Sequence, residues 1–139
     1  MSNAFSRPRP VSELQRIAWV ARAGLALMFF YHGLVPKILW LSPGELEMIQ
    51  AHGFADARWV AMLSGAAEIG LAVCLLSGYF KRASVIISAV VLAVLLIDVA
   101  LVSPHFLVQA FNPVSLNGAG LALCAVAWLA ERPQRKPAG

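Results

Sequence analysis

Four stretches of this chain are each long and apolar enough to cross a lipid bilayer, and that property limits its fold more than any other. A bilayer core is about 30 Å thick and a helix rises about 1.5 Å per residue, so one crossing takes about 20 mainly apolar residues. The expected spans are 17–41, 59–79, 83–102 and 114–130. The third, Ala83 to Val102, is almost wholly Val, Ile, Leu and Ala. Its β-branched content alone would suit a strand. In lipid, however, a lone strand leaves its backbone polar groups unpaired, so helix is the viable form.

Composition supports the same reading. The chain has 139 residues, 60% of them hydrophobic and only 13% charged. A soluble domain is roughly 45–50% apolar and about 25% charged. A chain this short cannot bury such an excess in one water-soluble core. The expected unit is a single membrane domain over residues 1–139, an all-α bundle of four transmembrane helices.

The net charge of +4 comes from basic residues confined to certain segments. The N-terminal arm carries Arg7, Arg9 and Arg16, the second turn Lys81 and Arg82, and the tail Arg132, Arg135 and Lys136. The first connection has only Arg58 and the third has none. By the positive-inside rule the arm, the second turn and the tail are cytoplasmic, so both termini lie inside. Four spans satisfy this arrangement; three or five do not. The expected location is the plasma (inner) membrane. Membrane orientation accounts for the basic charge without nucleic acid as a partner. A cleaved signal peptide fits poorly, because the apolar run after Arg16 continues with no small-residue cleavage site behind it.

The connections have their own signals. Ser42-Pro43-Gly44-Glu45 reads as a capping box with Pro at the first helical position. A short interfacial helix to about His52 is expected there, stopped by Gly53, with Leu46 and Ile49 resting it on the membrane surface. Gly78 to Arg82 is a tight turn that makes the second and third spans a hairpin. His52 and His105 read as isolated loop residues, and Cys74 and Cys124 as small packing residues. No C-x-x-C, metal-type spacing, phosphate loop, nucleophile elbow or H-E-x-x-H motif is present.

The polar residues inside the spans carry the functional signal. Arg22, Lys37, Glu68 and Asp98 each cost about 2.5–3.5 kcal/mol at mid-membrane on insertion scales. They must pair, face the bundle interior or snorkel. Depth estimated along the helices puts His32, Lys37, Glu68, Asp98, Asn112 and Asn117 in the outer half, with all four spans represented. An outward-opening polar pocket is the expectation, with Lys37 paired to Asp98 or Glu68. Pro36 cannot donate to the His32 carbonyl, which adds a free acceptor at the same level.

Plainer roles compete at each position. Lys37 can snorkel outward, Asp98 can serve as a structural ion pair, and His32 can simply bond across helices. Glu68 is hardest to explain that way. It is deep, and Gly65, Ala66, Ala67, Gly70 and Ala72 around it let a neighbouring helix approach. Arg22, alone in the inner half, reads as reaching the inner headgroups. Gly118, Gly120, Ala122 and Cys124 read as a packing stripe on the fourth span.

Three segments in order resemble the DoxX-like family of membrane proteins. Tyr31-His32-Gly33-Leu34-Val35-Pro36-Lys37 is similar to the G-x-x-P-K element that ends that family's first helix. Gly65-Ala66-Ala67-Glu68-Ile69-Gly70-Leu71 resembles its glycine-flanked glutamate, and Phe111-Asn112-Pro113 its F-N-P lead into the fourth helix. The resemblance runs from about Arg16 to Glu131 and implies a four-helix transmembrane bundle. It also implies association with a membrane or peripheral oxidoreductase, because relatives include subunits of quinol-linked enzymes. Quinone is the cofactor class so implied; none is intrinsic. With no redox cysteine pair and one membrane histidine, the chain is not expected to be catalytic alone.

The leading expectation is an accessory subunit or a quinone- or lipid-binding partner of a membrane redox system. The rivals are a small proton-coupled transporter and a structural assembly factor with no ligand. The lipid bilayer is the sure partner, and a homo-oligomer is compatible with the sequence.

Overall fold

The computed structural model describes residues 12–131. Arg7, Arg9, Arg132, Arg135 and Lys136 lie outside them. Each apolar run is a helix, and capping chemistry sets the ends.

Helix α1, Glu13–Leu34, starts earlier than hydropathy alone predicts because Ser12 and Gln15 form a reciprocal capping box. The Gln15 N–H donates to Ser12 Oγ (3.3 Å) and the Ser12 N–H donates to Gln15 Oε1 (3.1 Å). After Leu34 the helix widens into one π-helical turn, Val35–Leu39, at Pro36. Pro36 has no N–H to offer, and the widened turn restores pairing beyond it. The Trp40 N–H donates to the Val35 carbonyl and the Ser42 N–H to the Pro36 carbonyl, both at 2.9 Å.

Helix α2, Pro43–Ala51, is the short helix expected between the first two spans. Its cap is Ser42, whose Oγ accepts from the Glu45 N–H at 3.2 Å. Helix α3, Ala57–Ser77, starts where Asp56 accepts from the Trp59 N–H (3.2 Å). It ends at Gly78, which sits at φ 74° in the left-handed region. Helix α4, Lys81–Val102, leads into a 3-10 turn, Pro104–Val108. Helix α5, Pro113–Ala130, is capped by Asn112, whose Oδ1 accepts from the Ser115 N–H at 2.9 Å.

Four of these elements have the length and hydropathy of membrane spans: Glu13–Leu39, Ala57–Ser77, Lys81–Val102 and Pro113–Ala130. They pack as a ring, with α1 against α3 and α5, and α4 closing the other side. The core is small and apolar, built on Leu25, Phe29, Leu75, Leu92 and Ala127. Large apolar side chains instead cover the outside: Leu27, Leu63, Val94, Ile97 and Leu101 are all more than half exposed. That inversion suits a lipid solvent and would be untenable in water.

Packing departs from the sequence reading in three places. Ile49 is buried against Ala57 and Ala61 rather than resting on the membrane surface, so α2 is clamped to the start of α3 while Leu46 stays exposed. On α5 the buried stripe is Asn117, Gly120, Cys124 and Ala127, while Gly118 and Ala122 face outward. The buried set recurs every three to four residues, as one helix face requires. Arg22 does not extend outward from the bundle. It is buried, with Nε 3.2 Å from Glu131 Oε1, because a carboxylate just past α5 offers a nearer partner.

Candidate functional site

The site depends on the absence of two side chains. A Cβ on Gly33 would lie 2.5 Å from the Gly65 carbonyl oxygen, and a Cβ on Gly65 would lie 2.5 Å from the Gly33 carbonyl oxygen. The backbones of α1 and α3 therefore touch. One turn beyond Gly33, the π-helical turn carries Lys37; nearly one turn beyond Gly65, α3 carries Glu68. Lys37 Nζ donates to Glu68 Oε1 in a close ion pair. Both side chains are almost fully buried, at 9% and 11% exposure. The sequence stripe around Glu68 contributes unevenly, since Gly65 makes the helix contact while Ala66, Ala67 and Gly70 are exposed.

A second carboxylate completes the charged group. Glu45 Oε1 lies 3.8 Å from Lys37 Nζ. The sequence signals Glu45 as a capping-box partner for Ser42, but its carboxylate turns toward Lys37 instead. Burial pushes the Glu45 carboxyl above its ordinary value; Lys37 opposes the rise and Glu68 adds to it.

These groups line a cavity of about 170 Å³. His32 and Asn117 join Lys37, Glu45 and Glu68 as its polar lining. Met28, Phe29, Leu92 and Leu116 are among its apolar walls. Glu68 Oε2 is buried in this setting with no hydrogen-bond partner among the described residues. Buried carboxylate oxygens are rarely left so.

Two residues expected in the pocket lie outside it. Asp98 Oδ1 is 2.8 Å from His52 Nε2, at the end of α2. The depth of Asp98 fits the pocket, but its direction does not. Val99 faces the cavity, and one residue earlier a side chain points about 100° away round the helix. Asn112 is used as the α5 cap, and its Nδ2 donates to the Gln109 carbonyl at 3.1 Å.

His52 and His105 are not isolated. His52 Nδ1 is also 2.7 Å from the Met48 carbonyl, and His105 Nε2 is 3.1 Å from Glu47 Oε1. The bond to Met48 and that to Asp98 raise the His52 pKa above its ordinary value. Cys74 and Cys124 are both free thiols, Cys74 exposed on α3 and Cys124 buried on α5. No group of three or more His, Cys, Asp or Glu side chains among the described residues could hold a metal.

No curated protein and no solved structure matches the chain. The sequence profile of the DoxX-like family matches residues 26–125, a stretch that contains every residue lining the pocket. The chain thus belongs to the DoxX-like family and is a multi-pass membrane protein.

Proposed function

We propose that the protein binds the head group of a quinol or quinone in the Lys37–Glu68 pocket, as an accessory subunit or ligand-holding partner of a membrane redox system. The observation supporting this reading is the unpartnered Glu68 Oε2. A hydroxyl donated by a quinol ring satisfies that oxygen without disturbing Oε1, which Lys37 already holds. Asn117 and His32, on the same lining, supply polar contacts for the opposite ring oxygen. Phe29, Leu92 and Leu116 bracket the ring. Size agrees as well: a cavity of about 150 Å³ admits benzene, so about 170 Å³ holds one six-membered ring. An isoprenoid tail lies outside, in lipid. The protein's part is to bind and orient the ring.

In this reading the basic end, with Arg16, Lys81 and Arg82, faces the cytoplasm of the plasma membrane, and the pocket lies toward the opposite face.

Two rivals have less support. A proton-coupled transporter needs a polar path from Glu68 to the Arg22 end. Leu25, Ala72, Leu75 and Cys124 occupy that interval, and the Ser88 hydroxyl there donates to its own helix at the Ser84 carbonyl (2.8 Å). A purely structural role for Glu68 leaves its second oxygen unexplained.

The test is binding of a short-chain quinol to the purified full chain, followed by tryptophan fluorescence. Glu68→Gln is expected to weaken binding about tenfold, the worth of a hydrogen bond to a charged group. Lys37→Met should also weaken it. Unchanged affinity in both variants, with both folded, rules the pocket out as the quinol site.

A further inference from the structure

At the end of the bundle away from Glu68, a second cavity of about 990 Å³ opens between the start of α1, the start of α4 and the end of α5. Its lining includes Arg16, Arg22, Lys81 and Arg82, against a single carboxylate, Glu131. Three of the four cations are exposed at the rim; Arg22 is different. Its side chain is 7% exposed, and its Nε and Nη1 are buried with no hydrogen-bond partner among the described residues. Glu131 approaches Nε at 3.2 Å but does not complete a hydrogen bond with it. A guanidinium offers five N–H donors in a planar fork suited to phosphate. Leaving two of its nitrogens unpaired in a buried site costs free energy that an anion in the cavity would recover.

The other walls suit an amphiphile. Leu14, Ala18, Trp19 and Val20 form an apolar side beside the cations. Arg82 stacks over the Trp128 ring, 5.0 Å from its centroid, and its Nη2 donates to the Glu131 carbonyl at 3.5 Å. That contact leaves Arg16 and Lys81 as the rim charges and Arg22 as the deep one.

We infer that this cavity is a binding site for a negatively charged phosphate group, with the headgroup of an anionic membrane lipid as its source. Basic pockets between transmembrane helices recognise lipid phosphates in this way. Arg22 makes the buried contact, Arg16 and Lys81 supply the surrounding field, and Glu131 is the competing anion that holds Arg22 when no phosphate is bound.

The full chain, purified in a neutral detergent, is offered phosphatidylglycerol, the phosphate-free lipid diacylglycerol or inorganic phosphate. Native mass spectrometry counts retained lipid, and melting temperature reports stabilisation. Phosphatidylglycerol should be retained about tenfold more strongly than diacylglycerol, which has no phosphate, as charge-assisted hydrogen bonds to a buried guanidinium require. Arg22→Gln should abolish that preference, and the rim variant Arg16→Gln with Lys81→Gln, which alters only exposed side chains, should reduce it. Glu131→Gln should increase it by removing the competitor, a gain that a merely structural role for the pair does not give. Stabilisation by inorganic phosphate equal to that by phosphatidylglycerol would keep the phosphate site and assign it a soluble source. Equal retention of the two lipids with no phosphate effect, or a preference unchanged in the rim variant and in Glu131→Gln, would overturn the inference.

Discussion

Gly33 and Gly65 meet backbone to backbone, each occupying the space that the other's Cβ would need. Alanine at either position must push α1 and α3 apart, because the obstacle is a carbonyl oxygen rather than a movable side chain. Gly33→Ala or Gly65→Ala should each cost about 1–3 kcal/mol, the range for overpacking. Gly70→Ala, on the same helix but in open space, should cost nothing. Melting temperatures of the three variants in detergent check this contrast.

The Lys37–Glu68 pair should behave asymmetrically on dissection. Lys37→Met leaves a buried carboxylate without its partner and should cost about 3–5 kcal/mol. Adding Glu68→Met to Lys37→Met removes the stranded charge and should recover most of that loss. Equilibrium unfolding of the single and double variants gives the coupling directly.

Gly120 permits a subtler test. A Cβ there would lie 2.7 Å from Leu92 Cδ1 and 3.1 Å from Met28 Cε, both flexible side-chain ends. Both residues also line the pocket. Gly120→Ala should therefore cost only about 1 kcal/mol of stability. It should weaken quinol binding several-fold by driving Leu92 and Met28 into the cavity. A thermal melt and a binding titration on the same sample separate the two effects.

The His52 ring should make stability depend on pH. Its two nitrogens face two acceptors, the Met48 carbonyl and Asp98, and only the imidazolium can donate to both. Its pKa is raised above the ordinary 6.5, chiefly by the Met48 bond and then by Asp98. The added stability is thus complete below pH 6.5 and is lost as pH rises through the higher folded-state value. Glu45, raised by burial, acts with the same sign but in the carboxylate range, starting above 4.5. Melting temperature should fall as pH rises above 6.5 in the native protein, and the fall should be flatter in His52→Gln.

How far the sequence foretells this arrangement depends on whether a property is axial or angular. Span count and the common depth of His32, Lys37, Glu68 and Asn117 follow from hydropathy and helical rise. Direction round the helix axis does not follow so simply. Asp98 shares the depth of the pocket yet points toward α2, because Leu92, Leu95 and Val99 take the inward face of α4. Some of the remaining signals are ambiguous. Asn112 before Pro113 is a recognisable helix cap, a role compatible with lying near a site. Glu45 satisfies a capping-box pattern, and only the position of Lys37 shows where its carboxylate goes. Arg22 and Glu131, far apart in sequence, are brought together by the contact of α1 with α5, which no local pattern encodes.

The placement of both buried cations, Arg22 and Lys37, on the first span imposes an order on biogenesis. At roughly 5–20 residues per second, Glu68 emerges within seconds of Lys37. Glu131 is made only after all four spans, so Arg22 must spend most of synthesis without its counter-charge. The first helix therefore has to be kept near water, or near the insertion machinery, until the last one arrives, and the Arg22–Glu131 contact forms only once the fourth span is in place.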